Sequence, residues 1–345
     1  MRAHRHAGKM IRLPVALLFS LSASSCSDRV MPPPLPRLDI DLQSVTVSGV
    51  SSGGYMATQF QVAHGALIAG AAVVAAGPYY CSEGQLGLAL ERCMTAAREA
   101  IPVPALVSAA RALAASGEID ALETLAADRV WVFHGALDET VSAGVTQSLV
   151  DFYREFIAAP QIAFEFDTAA AHTFPTLASG TDCAVAESPY VGACGFDGAG
   201  ALLRQMYGTL EPRTEAGSGL QRFDQRPYRE RSGSAGLADE GLLYLPSACA
   251  THVRCRLHIV FHGCRQGMEF VEDRFASLAG YNEWAESNAI VVLYPQVRST
   301  FVPLNPRGCW DWWGYEGPEF ATRNGPQVRT VRAMIDDITE PGDTG

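Results

Sequence analysis

Short apolar segments alternate with segments of helical periodicity along most of this sequence, and this alternation constrains the fold more than any other feature. The apolar segments are rich in Val, Ile and Phe and have the length of buried strands. Strands that alternate with helices build mostly parallel sheets with helices on their faces. The sequence therefore predicts an α/β fold with a mostly parallel central sheet flanked by helices. The predicted strands are 43–48, 67–76, 129–133, 162–166, 242–245, 256–261 and 289–294.

Helical spacing of apolar residues fills most of the intervals between these strands. Residues 183–241 differ, because they are rich in Gly, Arg and acidic residues. There we predict loops and a single helix near 200–208. The other predicted helices are 55–64, several within 83–125, 145–157, most of 270–288, and 327–338.

The size and charge of the chain exclude several classes of protein. With 345 residues, 48% of them hydrophobic, the chain can bury a large core, which argues against intrinsic disorder and against a small disulfide-stabilised scaffold. Its net charge of −11 leaves no excess of basic residues for a nucleic-acid-binding face. We therefore expect a globular protein without a nucleic-acid partner.

The N-terminus is predicted to be a secretory signal peptide over residues 1–26. A basic stretch precedes a short apolar run, which is followed by small residues and is too short to span a membrane. Cys26 is either a lipid-modified N-terminal cysteine or an incidental thiol near an ordinary cleavage site. We expect an exported protein that is periplasmic, lipid-anchored or extracellular, with a proline-rich leader over 27–40 and a single domain over 41–345.

Eight of the nine cysteines follow the predicted signal peptide, and most of them lie close together in pairs. An even number of cysteines in an exported chain is typical of disulfides. The absence of any C-x-x-C spacing argues against a metal site. Proximity predicts the disulfides Cys81–Cys93, Cys183–Cys194 and Cys249–Cys255, and leaves Cys264 and Cys309 as the fourth pair.

A glycine-rich turn between the first predicted strand and the first helix carries a candidate nucleophile. Residues 49–53 have the pattern G-x-S-x-G, with Ser51 at its centre. Between a strand and a helix, this pattern forms a sharp turn that exposes the serine hydroxyl next to a helix N-terminus, whose N–H groups favour developing negative charge. The sequence predicts Ser51 as a nucleophile; the alternative is a glycine-rich turn with an idle serine.

A nucleophilic serine needs a base and an acid that orients it, and the α/β-hydrolase order along the chain is serine, acid, histidine. Asp138 follows the strand 129–133, and His172 follows the strand 162–166. Active sites of open α/β sheets collect at such carboxyl ends of strands. We predict Asp138 as the acid and His172 as the base. The alternatives are Asp167 or Glu139 as the acid and His134 as the base.

The candidate oxyanion loop comes late in the chain. In the common α/β-hydrolase order its strand precedes the nucleophile, but too few residues lie between the predicted signal peptide and Ser51 for that strand and its crossover. The strand 256–261 instead ends in His262-Gly263-Cys264. We therefore predict a circularly permuted α/β-hydrolase fold, with the N–H groups of Ser52 and Cys264 as oxyanion donors. Alternatively, His262-Gly263 is only a turn that ends a strand.

Three tryptophans follow Cys309 within four residues, as Trp310-Asp311-Trp312-Trp313. Aromatic residues at this density form either a core or a flat apolar platform for a substrate. If Cys309 is tethered to the oxyanion loop, one tryptophan borders the site, and Trp310 is our first choice as a substrate-binding residue. Tyr79 and Tyr80 are more typical of packing.

Several of these motifs resemble one family. GVSSGGYMA, AGPYYC, HGALDETV, AHTFPT, VFHGCRQ and NPRGCWDWWGY are similar to the short-chain-length polyhydroxyalkanoate depolymerases with a type 2 catalytic domain, over roughly residues 40–338. The resemblance implies hydrolysis of poly(3-hydroxybutyrate) to oligomers and 3-hydroxybutyrate, with Ser51, Asp138, His172 and Cys264 in the roles given above. It implies neither a cofactor nor a metal, and the partner is a polyester polymer or oligomer.

Members of this family usually continue into a linker and a polymer-binding domain, whereas this sequence ends at Gly345 with neither. We therefore expect a preference for amorphous polymer or oligomers over crystalline polymer. The second hypothesis is an esterase of other esters, such as feruloyl or acetyl groups on polysaccharides or other aliphatic polyesters. The third is a surface lipoprotein that binds polymer without turnover.

Overall fold

The structure is a computed structural model that describes residues 1–4, 8, 31–96, 100–251 and 253–339. Most of the predicted signal peptide, including Cys26, lies outside the described residues. The chain separates into two units, Met1–Met31 and Pro32–Gly345, and the described strands and helices belong to the second. That unit begins within the predicted leader, at Pro32. The leader contacts the last helix there, since the amide of Leu38 donates to the carbonyl of Ile338 (2.8 Å).

The described residues form an eight-stranded central sheet and a small three-stranded sheet. The strands are β1 Thr46–Val50, β2 Gly70–Val74, β3 Arg129–Phe133, β4 Ile162–Glu165, β5 Phe174–Thr176, β6 Thr181–Asp182, β7 Val191–Ala193, β8 Leu220–Asp224, β9 Glu240–Tyr244, β10 Arg256–Phe261 and β11 Ile290–Tyr294. The order in the central sheet is β4-β3-β2-β1-β10-β11-β9-β8. Six neighbouring strands from β4 to β11 are parallel, and β9 is antiparallel to both of its neighbours.

This strand order confirms the predicted circularly permuted α/β-hydrolase fold with a mostly parallel sheet. The described chain enters the sheet in the middle, at β1, and builds one half outward from β1 to β4. It then crosses to the opposite edge and builds the other half. As a result β10, which comes late in the sequence, lies directly beside β1, with Thr46 opposite His258.

Helices cover both faces of the central sheet. Every residue of β2 is buried, and alternate residues enter different clusters: Ala71 and Val73 pack on one face, and Ala72 and Val74 on the other. Strands covered on both faces have continuous rather than alternating apolar sequence. The helices are α1 Ser52–Ala63, α2 Leu86–Glu91, α3 Val103–Ala115, α4 Ala143–Arg154, α5 Gly198–Tyr207, α6 Arg226–Ser232, α7 Met268–Val271, α8 Arg274–Leu278, α9 Tyr281–Asn288 and α10 Pro326–Thr339.

Three predicted elements differ from the structure. The loop prediction for 183–241 is wrong, because β7, β8 and α6 lie there in addition to α5. Most of 270–288 is helical, as predicted, but this segment is divided into the short helices α7, α8 and α9, with positive φ at Glu272 and Gly280 between them. The first strand begins later than predicted, because Leu42–Ser44 form a 3-10 turn and the Asp41 carboxylate accepts from the amide of Gln43 (3.2 Å).

The four disulfides are the four predicted pairs: Cys81–Cys93, Cys183–Cys194, Cys249–Cys255 and Cys264–Cys309. Disulfides persist in oxidising compartments, so these pairs are consistent with export of the chain. Within the described ranges, no helix is both long enough and apolar enough to cross a bilayer.

Candidate active site

Ser51 occupies the turn between β1 and α1, in a backbone conformation that is unfavourable for a residue other than glycine. Its φ is 56° and its ψ is −121°. Such strain persists only where the surrounding structure enforces it. Here the amide of Ser51 donates to the carbonyl of Val74 in β2 (2.9 Å), and its carbonyl accepts from the amide of Tyr55 (3.1 Å). The turn therefore projects Ser51 from the carboxyl end of the central strand.

The two outer glycines of the G-x-S-x-G pattern are required by packing. A Cβ atom on Gly49 would overlap the backbone of Gly53, where α1 folds back over β1. A Cβ atom on Gly53 would overlap the carbonyl of Phe261, at the end of β10. The first glycine therefore permits the sharp turn, and the second permits the close approach of β10 to the start of α1.

Asp138 and His172 are brought together by the turns that follow β3 and β4. The Nδ1–H of His172 donates to Oδ2 of Asp138 (2.7 Å), and a carboxylate can only accept, so this bond fixes the tautomer that leaves Nε2 free to act as a base. The other oxygen of Asp138 accepts from the amides of Thr140 (2.8 Å) and Val141 (3.0 Å). Asp138 is thus held by three donors, with its side chain completely buried.

The environment of Asp138 favours its charged form. Burial by itself would raise the pKa of this carboxyl, but the hydrogen bond and charge of His172 and the two backbone amides outweigh it and lower the pKa below the ordinary value of 3.8. Asp138 is therefore ionised at neutral pH. An ionised carboxylate in this position orients the imidazole and stabilises it when it becomes protonated.

The two turns that carry Asp138 and His172 are packed against each other. The amide of Leu137 donates to the carbonyl of Ala170 (3.0 Å), and a Cβ atom on Gly135 would overlap that same carbonyl. Directly before His172, the amide of Ala171 donates to the carbonyl of Cys183 (2.8 Å), which ties the turn to the residue that follows β6 in the small sheet. Asp138 and His172 are therefore held by backbone contacts on both sides.

The alternative acids and base occupy different environments. Asp167 and Glu139 are exposed. His134 is buried, lies 2.8 Å through Nε2 from the carbonyl of Val141, and packs edge-on against Phe166. The structure therefore joins His172 to Asp138, and His134 is a packing residue of the turn.

The candidate oxyanion loop lies against Ser51. A Cβ atom on Gly263 would be 3.3 Å from the carbonyl oxygen of Val50 and 3.5 Å from Cβ of Ser51, so the backbone there approaches Ser51 closely. The amide of Gly263 donates to Oε1 of Gln266 (2.7 Å), and Nε2 of Gln266 donates to the carbonyl of Tyr190 (3.0 Å). The Cys264–Cys309 disulfide closes the loop on its other side.

His262 holds the same loop in place through both nitrogens of its ring. Its Nδ1 donates to the carbonyl of Gly263 (2.7 Å), and its Nε2 accepts from the amide of Val297 (3.3 Å). Complete burial lowers the pKa of His262 to about 4, so the ring is neutral at physiological pH. Both ring nitrogens are used in fixing the backbone, which gives His262 a structural role.

Ser51, His172 and Cys264 line one cavity of about 220 Å³ at the carboxyl ends of β1, β4 and β10. Ser52 begins α1 directly beside it, and the Oγ of Ser52 accepts from the amide of Trp310 (3.4 Å). Several lining residues were not predicted, although Arg265 and Gln266 stand in the VFHGCRQ motif. The remaining lining residues are Val50, Met94, Thr140, Ala186, Tyr190, Gly263, Arg265, Gln266 and Arg307.

The prediction that Trp310 contacts the substrate requires correction. Trp310 is fully buried, packs edge-on against Phe261 (4.9 Å between ring centroids), and does not line the cavity. Its ring fills the core behind β10, and its amide supports Ser52. Tyr79 is buried as expected, with its hydroxyl donating to the carbonyl of Ala321 (2.9 Å). Tyr80 is partly buried and stacks on Phe320.

A larger cavity of about 990 Å³ lies at the amino ends of β2 and β3, away from Ser51. Four of its charged groups form ion pairs, Arg323 with Asp120 (2.7 Å) and Arg332 with Asp336 (2.8 Å), and the carboxylate of Asp128 accepts from Gln61 (2.7 Å). We therefore favour the smaller cavity as the site of chemistry. Across the described part of the chain, no group of three or more His, Cys, Asp or Glu residues is arranged to hold a metal ion.

Comparisons with known proteins point to one family. No family model matches the sequence. A poly(3-hydroxybutyrate) depolymerase of Delftia acidovorans is 40% identical over 308 residues, which cover 88% of this chain and 61% of that relative. A polyhydroxybutyrate depolymerase of Talaromyces funiculosus is 33% identical over 341 residues, which cover 94% of this chain and 96% of the relative. This chain therefore spans only 61% of the length of the bacterial relative.

Two solved structures agree with these relatives. One is the crystal structure of a PHB depolymerase from Penicillium funiculosum, with a TM-score of 0.82 and 32% identity over 88% of this chain and 98% of that one. The other is a PHB depolymerase with a serine-to-alanine substitution, complexed with an R3HB trimer, with a TM-score of 0.82, 31% identity and the same coverage.

Proposed function

Because the chain belongs to the poly(3-hydroxybutyrate) depolymerase family, we propose that it is a serine esterase that hydrolyses poly(3-hydroxybutyrate) or its oligomers. The products are 3-hydroxybutyrate and its oligomers. The observation that carries the proposal is the meeting of Ser51 and His172 in one cavity, with His172 hydrogen-bonded to the buried, ionised Asp138.

In the proposed mechanism, Ser51 Oγ attacks the carbonyl carbon of the ester while Nε2 of His172 takes its proton. Asp138 holds the imidazole through Nδ1 and stabilises the positive charge that forms. His172 then returns the proton to the leaving alcohol oxygen. A water molecule, activated by the same imidazole, releases the acyl group from Ser51 as a carboxylic acid.

The backbone amides of Ser52 and Cys264 are proposed to stabilise the oxyanion of the tetrahedral intermediate. Ser52 is the first residue of α1, where amide groups carry no partner within the helix and the helix dipole favours negative charge. Cys264 lines the cavity beside Gly263, whose backbone lies against Ser51. Removing one such donor costs about 10²- to 10³-fold in rate.

The size of the cavity favours a short acyl group. Its volume of about 220 Å³ is below the range of about 300–1,000 Å³ of sites that enclose drug-sized molecules. A hydroxybutyryl unit has few atoms, whereas a feruloyl group carries a substituted aromatic ring. The cavity therefore suits the hydroxybutyryl unit of the polyester, and comparator substrates decide between it and the alternative of feruloyl, acetyl or other aliphatic esters.

The test is release of 3-hydroxybutyrate and its oligomers from amorphous poly(3-hydroxybutyrate) granules. Wild type would be compared with Ser51→Ala, and p-nitrophenyl butyrate and a feruloyl ester would serve as comparator substrates. We expect release by wild type and none by Ser51→Ala. Cleavage of a short ester without release from polymer or oligomers would move the function to the other ester class. Binding of granules without any turnover would favour a polymer-binding protein.

We also propose that the exported protein is periplasmic, lipid-anchored or extracellular. Four disulfides support export. Lipid attachment at Cys26 stays a sequence prediction, and mass spectrometry of the mature N-terminal peptide tests it directly: a lipid-modified cysteine is expected for the anchored form, and an unmodified peptide for the free form.

A further inference from the structure

Two arginines line the proposed catalytic cavity but do not belong to the proposed catalytic triad of Ser51, Asp138 and His172. Arg265 directly follows Cys264, and Arg307 lies two residues before Cys309. The Cys264–Cys309 disulfide therefore holds the backbones of the two arginines near each other at the cavity. The amide of Arg265 donates to the carbonyl of Arg307 (2.7 Å), which aligns their two backbones. Both side chains are exposed. Two positive charges therefore stand at the mouth of the cavity that holds Ser51.

These charges are not compensated by neighbouring carboxylates. Acidic residues outnumber Lys and Arg by 37 to 26, and many arginines are paired, as Arg226 is with Asp224 (2.7 Å) and Arg222 with Glu240 (2.8 Å). Among the described residues, neither Arg265 nor Arg307 forms a side-chain ion pair or hydrogen bond. The cavity mouth is thus locally positive on a chain with a net charge of −11.

The proposed substrate offers one group that matches this charge. Esters within a 3-hydroxybutyrate polymer are neutral, but every oligomer released by hydrolysis ends in a carboxylate. Arginine is suited to carboxylates, because its planar guanidinium donates two parallel hydrogen bonds to the two carboxylate oxygens.

We propose that Arg265 and Arg307 bind the terminal carboxylate of a 3-hydroxybutyrate oligomer and direct cleavage to ester bonds near its acid end. This inference rests on the proposed function. It names these two residues as determinants of specificity for free oligomers over internal polymer segments.

The chemistry of the oligomer fixes which product the arginines hold. In an unbranched oligomer the carboxylate lies on the alcohol side of every ester bond. When Ser51 takes the acyl part, the ester C–O bond breaks and the alcohol oxygen receives the proton from His172. The leaving fragment then carries both the new hydroxyl group and the carboxylate, so the arginines hold the leaving group, and short acid-ended units are released first.

The test compares a 3-hydroxybutyrate trimer that has a free carboxylate with its methyl ester, which differs only in the terminal charge. The readout is the ratio of kcat/KM for the acid to kcat/KM for the methyl ester. For the double variant Arg265→Gln/Arg307→Gln we expect this ratio to fall about five- to tenfold, mainly through KM for the acid, because two exposed charge pairs are lost. The double lysine variant, which keeps both charges, should recover much of the ratio.

Arg213→Gln is the control for the loss of an exposed positive charge, because Arg213 is exposed and does not line the cavity; it removes one charge, whereas the double variant removes two. It should keep the wild-type ratio. An unchanged ratio in the double glutamine variant would overturn the proposed carboxylate site and would leave the proposed function untouched. Cleavage of p-nitrophenyl butyrate by wild type without cleavage of either trimer would overturn the proposed function, and the carboxylate site with it.

A second measurement needs only wild type and therefore does not depend on the folding of a variant. Salt screens exposed charges, with a Debye length of about 10 Å at 0.1 M and about 3 Å at 1 M. We expect KM for the acid trimer to rise several-fold between these salt concentrations, relative to KM for the methyl ester. Equal salt dependence of the two substrates would contradict carboxylate recognition.

Discussion

The turns that carry Ser51, Asp138 and His172 and the loop that carries Cys264 meet in one cavity, but they are held in place by different means. The first three residues each follow a strand of the half of the sheet that is built first, and their turns are fixed by neighbouring backbone. The Cys264 loop follows β10, far later in the chain. It is fixed by a disulfide and by the side chain of Gln266.

This difference indicates what each side contributes. In the proposed mechanism, the β1–β4 side presents the reacting groups, so losing one of them removes a chemical step. The β10 side presents a backbone amide, so loosening it changes a position rather than removing a group. We therefore expect substitutions of the reacting groups on the β1–β4 side to abolish activity, and substitutions that loosen the β10 side to lower it by degrees.

The largest effect is expected from the reacting groups themselves. Ser51→Ala and His172→Ala should each lower kcat on p-nitrophenyl butyrate by about 10⁴- to 10⁶-fold, because nucleophile and base act as a unit. Steady-state kinetics measures this. Ser108→Ala, an exposed serine on α3, is the control and should keep wild-type kcat. Retention of more than a tenth of the activity by either triad variant would contradict the assignment.

Asp138→Asn should lower kcat by about 10⁴-fold with little change in KM, because an amide in this position favours the wrong tautomer of the imidazole. The same variant probes stability. The folded pKa of Asp138 lies below its ordinary value of 3.8, so its carboxylate stabilises the folded state above that pH, and this contribution is lost as the pH falls through the folded pKa.

Urea unfolding from neutral to acid pH measures that contribution. The difference in free energy of unfolding between wild type and Asp138→Asn should be largest above about pH 5 and should shrink below about pH 4. A difference that stays constant over this range would show that the charge of Asp138 does not contribute to folding.

The contact between the start of α1 and the end of β10 joins the two sides, and we expect that it cannot accommodate a larger side chain. Gly53→Ala should destabilise the protein by about 1–3 kcal/mol or more, because the new methyl group would overlap the carbonyl of Phe261. Gly87→Ala in α2 is the matched control, since its Cβ would meet no atom within 4 Å and alanine favours a helix. Thermal unfolding compares them, and equal midpoints would contradict the close approach of β10 to α1.

The smallest effect on activity is expected from the disulfide of the Cys264 loop. Cys264→Ala/Cys309→Ala should lower kcat by about tenfold or more, because the oxyanion amide loses its fixed position, and should cost about 2–4 kcal/mol of stability. The control Cys249→Ala/Cys255→Ala removes a disulfide far from the cavity lining. If both variants lose kcat equally, the loss is one of general stability.

The sequence predicted the β1–β4 side better than the β10 side, for a physical reason. Asp138 and His172 follow recognisable apolar strands, and the carboxyl ends of parallel strands meet at one edge, so their proximity follows from local pattern. The disulfides could be paired because most partners are close in sequence. The permuted sheet order followed from the shortage of chain before Ser51.

The parts that sequence reasoning missed depend on long-range packing. Trp310 sits in a cluster whose composition suits a core and a surface platform equally, and only its contact with Phe261 decides between them. The edge strand β8 exposes Gln221 and Arg222, so it lacks the apolar pattern of a buried strand. The predicted Cys264–Cys309 disulfide already brings Arg265 and Arg307 near each other, but their place at the cavity depends on the fold of both loops and on a backbone hydrogen bond between them.

The most direct test of Ser51 as the nucleophile is to identify the residue that reacts with an organophosphonate ester probe. Peptide mass spectrometry after labelling would locate the adduct. We predict a single adduct on Ser51 in wild type, which forms as esterase activity is lost, and no adduct in His172→Ala. An adduct on Ser52 or another serine, or full inactivation without an adduct on Ser51, would contradict the account.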